Sequence, residues 1–480
     1  MNYRLVFQSI NRIIGLLSLA MIPPLLLSYL FHEQVHIHFI IPIAILSIMS
    51  MISFFRKHDF KNLKIRESIA IVVATWIGAS VFGALPFIIS HILPSFTDAF
   101  FESLSGFTAT GSTVIPDIET IPRSILFWRS ETHWLGGMGI VVLAMVIFPS
   151  FRGKSELFSS ESPVSTNEDK LFPRIATVAK SYWKIYLLFT FSEFLLLLPV
   201  MGWFDAVTHA FATIAGGGFS TKNASIAHFN SLYVEIVVMI FMIIGATSFI
   251  LHYHALRGKF RYFKNSSFKI FFGVFLSSSL LITFNLYLIN QDDAAFLSSL
   301  RKAIFQVVSI ITTTGFATED FKYWPDFSVS ILVLLMFIGG MSASTSGSIK
   351  VWRYEIIFKE LRLHLRRILK RRVVVFPRQN GKNIGADQVL KVQTFVVMYI
   401  FIFLFSGASL TAMGYGAATS FSAVAATLGN VGPGIGGVGP LDNFTLFSDV
   451  AKWILSFDML LGRLEIWTVF SLFIPELWGF

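Results

Sequence analysis

Residues 309–320 read SIITTTGFATED, and the reading of this stretch decides the fold. It follows an apolar run over 303–311 and ends in two acids, Glu319 and Asp320. A buried helix that reaches three threonines and a glycine is poorly supported there, because hydroxyl side chains compete for the backbone and glycine loosens it. Alone, the stretch reads as a turn. Its meaning depends on whether it has counterparts elsewhere.

The surrounding chain is built for a bilayer. It has 480 residues, 54% hydrophobic and 14% charged, with 52 phenylalanines and a mean hydropathy of +0.68. A soluble chain carries about a quarter charged residues. Apolar runs of about 20 residues, long enough to cross a hydrocarbon core, recur from end to end. The absence of cysteine excludes disulfides, thiol catalysis and cysteine-ligated metals. A net charge of +10 would suggest nucleic acid only on the basic face of a soluble domain. Here the lysines and arginines sit mainly between apolar runs, so no nucleic-acid partner is expected. The first run, 10–31, is too long for a signal-peptide core and lacks a small-residue cleavage site, so it is expected to remain as a helix.

The spans fall at about 10–31, 38–55, 66–93, 125–149, 182–203, 229–255, 268–290, 326–356, 390–414 and 444–475. Four shorter apolar segments, at about 97–108, 204–215, 300–311 and 417–428, have the length of re-entrant helices. Basic residues cluster after the second span (Arg56, Lys57, Lys61, Lys64, Arg66), after the fourth (Arg152, Lys154, Lys170, Arg174) and after the sixth (Arg257, Lys259, Arg261, Lys264). The eighth runs into KELRLHLRRILKRR at 359–372. The positive-inside rule makes these connections cytoplasmic, with both termini on the same side. The 359–372 run can set orientation, touch anionic membrane lipid or dock a cytosolic partner. The alternate connections hold Asp98, Asp117, Glu119, Asp292, Asp293, Glu319, Asp320, Asp326 and Asp442, with Arg301, Lys302 and Lys322 as exceptions.

The opening stretch has three counterparts. ESLSGFTATGSTV (102–114), HAFATIAGGGFST (209–221), FQVVSIITTTGFAT (305–318) and SAVAATLGNVGPG (422–434) align on Gly111, Gly218, Gly315 and Gly432, roughly a hundred residues apart. The chain is therefore expected to be all-α: two leading helices, then four copies of helix, re-entrant pore helix with loop, and helix around a central pore. Parallel internal repeats about an axis along the membrane normal are a transporter architecture. Irregular backbone at membrane depth is tolerated only where protein buries it or water lines it. Glycine at these turns lets carbonyls point toward an axis. Four such loops make a ring of oxygens able to replace a cation's hydration shell, and the short helices aim their negative ends at it. Glycine also serves tight helix packing, but four in matching positions favour the ring. The lack of a carboxylate cage favours a monovalent cation over calcium or magnesium.

These four loops resemble the filter loops of TrkH-type bacterial potassium uptake proteins, a family grouped with Ktr-type and plant high-affinity potassium transporters. WLGGMGI (134–140) and the AKWIL and MLLGRLEIWTV segments over 451–469 also resemble TrkH-type sequence. The resemblance spans nearly the whole chain, including the two leading helices. It implies potassium uptake across the bacterial inner membrane, with rubidium a further ion that could pass and sodium passed poorly. The implied filter comprises Thr110, Gly111, Ser112, Gly217, Gly218, Phe219, Thr314, Gly315, Phe316, Asn430, Val431 and Gly432. Relatives that favour sodium carry serine at the Gly111 position. The resemblance further implies a homodimer and a cytosolic TrkA-like regulatory subunit that binds NAD or ATP; this chain itself is expected to need no cofactor. Channel-like passage and symport with protons or sodium both remain open.

The eighth span carries FIGGMSASTSGSIK at 337–350, too rich in glycine, serine and threonine for a straight helix. In TrkH-type proteins this segment is an intramembrane loop that blocks the pore, which assigns Gly339, Gly340, Ser342, Ser344, Thr345, Ser346, Gly347 and Lys350 to a gate. The family pattern is richer in glycine, and Ala343, Ser346 and Ser348 stand here at three glycine positions. Arg463 sits inside the last span, where an arginine costs about 2.5–3.5 kcal/mol on insertion scales. Asp458 and Glu465 are wrongly spaced to face it on one helix. Its partner is expected on another helix, at a pore carbonyl or in water, and the resemblance favours the gate loop. Glu193 and His133 read as structural, and Arg129 shares a helix face with His133 at i, i+4 near the outer end of their span.

Two other function classes are disfavoured. An inverted-repeat secondary transporter conflicts with four repeats in one orientation. A membrane enzyme needs a nucleophile–base pair, paired carboxylates or a metal cluster, and none has suitable spacing. GPGIGG at 432–437 matches a dinucleotide fingerprint only formally, since no strand precedes it. The expected division is 1–60 for the leading helices, then 61–155, 175–260, 265–372 and 385–480 for the four repeats, the third including the gate loop and its basic extension.

Overall fold

The computed structural model describes residues 1–55, 64–139, 142, 175–290, 295–369 and 377–478. The basic connections at 56–63 and 143–174, the acids Asp292 and Asp293, and the end of the 359–372 run lie outside the described residues. The chain is an all-α, multi-spanning bundle. Among the described residues, six helices are long and apolar enough to cross a membrane, or seven if one bent pair is counted as a span.

Two leading helical segments come first. Tyr3–Ile14, Leu16–Ala20 and Ile22–Leu30 form one interrupted rod, loosened at Gly15 and again at Met21, just before a proline pair. His36–Phe55 follows. Each repeat then supplies a short pore helix: Phe96–Phe107, the last part of Ile175–Ala215, Ala295–Ile311 and Ala417–Leu428. In the second repeat Gly202, at φ +74°, separates the span from the pore helix.

Three further spans drawn as single helices are interrupted. The 229–255 span is Leu232–Ala246 and Phe249–Ala255, bent by 105°. The bend falls on Thr247 and Ser248, which adopt extended-like backbone (ψ 148° and 125°). The 326–356 span is Asp326–Leu335 and Val351–Leu369, joined by an irregular loop. Within that loop Ile338 and Gly339 pair in parallel with Ile349 and Lys350. The last span breaks at Glu465, whose φ of 60° ends Asp449–Leu464 before Ile466–Phe470 begins. Glu465 there forms an ion pair with Arg353.

Glycines let second spans press onto pore helices. A Cβ on Gly136 would lie 1.7 Å from the Phe107 carbonyl oxygen, and one on Gly462 2.2 Å from that of Leu428. Gly137 would meet Ala215 of the second pore helix at 2.7 Å, so the glycine pair of the WLGGMGI motif wedges its helix between two repeats. Two large apolar cores result, with two small satellites around Trp352 and Met341. One joins the leading helices mainly with repeats one and four, the other mainly repeats two and three.

Polar contacts stitch all four seams between repeats. Asn223 Nδ2 donates to Asp117 at 2.7 Å, and Arg301 makes a two-pronged pair with Glu235 at 2.7 Å. Lys322 bonds Asp442 at 2.9 Å, and Lys452 bonds Asp98 at 2.5 Å. Hydrogen bonding to Asp442 raises the Lys322 pKa and holds its ammonium charged.

Candidate functional site

The four glycine loops share one backbone conformation. Each pore helix ends in a residue of positive φ: Ala109 (52°), Gly216 (71°), Thr313 (59°) and Asn430 (50°). The next amide donates back to a carbonyl five residues earlier, at 2.8–2.9 Å: Thr110 to Ser105, Gly217 to Ala212, Thr314 to Ser309 and Val431 to Ala426. This is a Schellman cap, used four times. One residue on, φ is positive again at Gly111 (86°), Gly218 (73°), Gly315 (83°) and Gly432 (101°). The aligned glycines of the sequence are thus the second of two left-handed residues in every repeat.

Those glycines touch the neighbouring loops in a closed cycle. A Cβ on Gly111 would stand 2.1 Å from the Gly217 carbonyl oxygen, and one on Gly218 1.9 Å from that of Thr314. Gly315 relates to the Val431 oxygen at 2.1 Å, and Gly432 returns to the Thr110 oxygen at 2.8 Å. The carbonyl preceding each glycine therefore packs on the glycine of the preceding repeat, all the way round. No side chain fits at these positions without displacing backbone.

Side chains brace the cycle. Ser112 Oγ donates to the Gly432 carbonyl at 3.0 Å. Asn430 Nδ2 reaches Thr110 Oγ1 at 2.9 Å and the Met459 carbonyl at 3.0 Å. Phe219 and Phe316 are buried. Phe219 packs against Arg129 (3.4 Å) and His133 (3.9 Å), so both helix residues support the second loop. A cavity of about 100 Å³ touches all four glycines together with Ser112, Phe219 and Asp442. Glu319 and Asp320, well placed in sequence to concentrate cations, are instead paired with Lys302 at 2.9 Å and Lys322 at 3.3 Å.

The irregular loop 337–350 reaches the third glycine loop. Ser346 Oγ donates to the Thr312 carbonyl at 2.7 Å, and the Gly347 amide to Thr313 Oγ1 at 2.9 Å. A Cβ on Gly347 would meet the Gly429 oxygen at 2.5 Å. The loop's other side is held by the bent span: the Met341 amide bonds the Ala246 carbonyl at 2.9 Å, and the Thr345 amide bonds that of Gly245 at 3.1 Å. Gly340 packs against the Ala246 oxygen and Gly339 against that of Gly347, while Ser344 Oγ bonds the Met341 carbonyl at 2.6 Å. The Ser342 hydroxyl is buried without a hydrogen-bond partner among the described residues. Sequence reading missed Gly245 and Ala246, although the run GATS at 245–248 was a signal for broken helix.

Arg463 finds its partners on other elements. Nη1 donates to the Thr345 carbonyl at 2.8 Å, and Nη2 to those of Gly136 (2.5 Å) and Gly137 (2.7 Å). Asp458 turns instead to Ser406 Oγ at 3.0 Å. A second cavity of about 100 Å³ is lined by Arg463, Lys350, Ser346, Gly347 and Glu465, beside the 337–350 loop. No cluster of histidine and carboxylate ligands suited to a metal occurs among the described residues.

Fourfold re-entrant loops, a closed glycine–carbonyl cycle and an arginine-held loop beside it define a multi-spanning membrane protein built of four repeats. A family model described as cation transport protein, TrkH, matches residues 35–478. The chain belongs to this TrkH family, and it is not an enzyme. It is 38% identical to the Trk system potassium uptake protein TrkH of Escherichia coli over 482 residues, 98% of this chain and 99% of that one. It is 37% identical to the protein of the same description from Halomonas elongata, with both chains fully covered. The crystal structure of the potassium transporter TrkH from Vibrio parahaemolyticus superimposes with a TM-score of 0.89 at 35% identity, covering 100% of each chain.

Proposed function

We propose that this chain carries potassium into the cell across the bacterial inner membrane, with the four glycine loops as its selectivity filter. The observation that carries this reading is the closed cycle in which each filter glycine packs on the carbonyl of the next repeat. Four capped helices ending at that cycle bring the negative ends of their dipoles to it, and backbone carbonyls suit a dehydrated monovalent cation. Thr110, Gly217, Thr314 and Val431 supply the carbonyls, and Gly111 in the first repeat favours potassium over sodium. The names of its relatives, as potassium uptake proteins, point the same way.

In this reading loop 339–350 is the gate. It is anchored to the third filter loop through Ser346 and Gly347 and to the bent span through Met341 and Thr345. Arg463 latches it and places a positive charge beside the path, which opposes cation passage while the loop is in place. The functional unit is a homodimer, with a TrkA-like nucleotide-binding subunit acting on the cytoplasmic side. The test is growth at limiting potassium of a strain lacking its own uptake systems, with and without that subunit. Rescue is expected; a well-expressed chain that leaves growth unchanged in both settings overturns the reading.

A further inference from the structure

Three of the pore helices brace their own filter strand from one position, and the fourth does so from the residue before it. Nine residues before the glycines stand Glu102, His209, Gln306 and Ala423. Glu102 accepts from the Val114 amide at 2.9 Å and from Thr113 Oγ1 at 3.0 Å. His209 Nε2 meets Ser220 Oγ at 2.9 Å. Gln306, with its carboxamide oxygen turned toward the strand, accepts from the Thr318 amide at 3.0 Å and the Glu319 amide at 3.1 Å. In the fourth repeat the adjacent Ser422 takes the role, accepting from the Ile435 amide at 3.1 Å.

Only the first brace carries a charge, and that charge is fully buried. Glu102 pairs with Arg129 Nε at 2.6 Å, with both side chains at 2% exposure or less. A buried ion pair costs desolvation that its own attraction does not reliably return, so its presence calls for a positional reason. Arg129 supplies one. It lies on Arg123–Met138, the second span of repeat one, yet its Nη1 donates to the Ser220 carbonyl at 3.0 Å and its guanidinium covers Phe219. The hydrogen bonds of the other three braces stay within their own repeat, and only a ring contact of His209 with Phe316, at 5.8 Å, reaches the next loop. The charged brace runs from Thr113 and Val114 through Glu102 and Arg129 to Phe219 and Ser220, and so ties the strands that follow Gly111 and Gly218.

Resting on the filter reading above, we infer that Glu102 and Arg129 are positioning residues. They fix the spacing of the first and second filter strands and thereby the discrimination between potassium and sodium. Neither contacts the ion. The carboxylate sets the exit of strand one, the guanidinium that of strand two, and their pairing locks the two distances together.

The experiment measures sodium and potassium flux through the purified full-length chain in proteoliposomes, with thermal unfolding of each variant alongside. Glu102→Gln reproduces the uncharged brace of Gln306 and leaves Arg129 without its counter-ion; Arg129→Lys keeps the charge but loses the planar fork. Each is expected to raise the sodium-to-potassium flux ratio about tenfold, the effect of losing one charge-assisted hydrogen bond. The double variant Glu102→Gln/Arg129→Met removes the unpaired charge. It is expected to regain thermal stability while staying unselective, and it carries the test if the single variants do not fold. Native selectivity in any folded variant overturns the inference, as does a double variant that recovers selectivity together with stability. Gly111→Ser is run in parallel. If it too leaves selectivity native, the filter reading itself has failed; if it relaxes selectivity while the brace variants do not, only the present inference falls.

Discussion

Arg463 Nη1 donates to the carbonyl oxygen of Thr345 across 2.8 Å, joining the last long helix to the loop beneath the third filter strand. The same guanidinium holds Gly136 and Gly137 through Nη2. Arg463→Ala removes the latch and the local positive charge together. Basal potassium flux in proteoliposomes is expected to rise severalfold; a folded variant with reduced flux would assign the arginine to scaffolding alone.

Removing residues 340–346 deletes the contacts of Met341 with Ala246, of Thr345 with Gly245 and of Ser346 with Thr312. A shortened loop can no longer bridge the bent span and the third filter strand. Flux without the regulatory subunit is expected to approach that of the fully activated complex. A deletion that folds and stays closed removes the loop from the gating role.

The four filter glycines differ in how closely the next carbonyl approaches. Alanine is therefore expected to be worst tolerated at Gly218, at 1.9 Å, and best tolerated at Gly432, at 2.8 Å. Gly111 and Gly315 fall between, both at 2.1 Å. Each substitution also forces a side chain into left-handed backbone, at about 1–2 kcal/mol. Potassium-to-sodium flux ratios and yields of folded protein across the series check this ranking, and a reversed order contradicts the cycle as the basis of selectivity.

Ala343 and Ser348 hold φ angles of 53° and 55° inside the gate loop. Neither is glycine, and a side chain in left-handed backbone costs about 1–2 kcal/mol, so the loop carries strain at both positions. Ala343→Gly relieves about 1 kcal/mol, a factor of about five in a two-state balance. The expected result is a higher unfolding temperature and a lower basal flux, because the strain is released in the closed arrangement. Unchanged values for both place the strain elsewhere.

The glycine loops were legible because each is a local event. A short apolar helix, hydroxyl residues and a glycine sit within a dozen positions, repeated four times. The break at 337–350 was legible for the same reason. The closure of the loops into a cycle was not, since Gly111 and Gly217 or Gly432 and Thr110 meet only after spans have packed. Arg463 announced a missing partner, but three carbonyls more than a hundred residues away gave no sequence signal. Lys302 and Lys322 looked like exceptions to the charge asymmetry; in the fold they neutralise Glu319 and Asp320. The 105° bend at Thr247 and Ser248 was missed because its use is tertiary: it turns two carbonyls toward the gate loop.

The order of the glycine contacts follows the order of the repeats along the chain, and the last contact returns to the first. The ring is therefore sealed between the quarter synthesised first and the quarter synthesised last. Until Gly432 and the helix behind it have been made, the Thr110 carbonyl lacks the glycine it packs on and Gly315 lacks the Val431 oxygen, so on the filter reading a truncated chain has no complete cage to strip water from an ion.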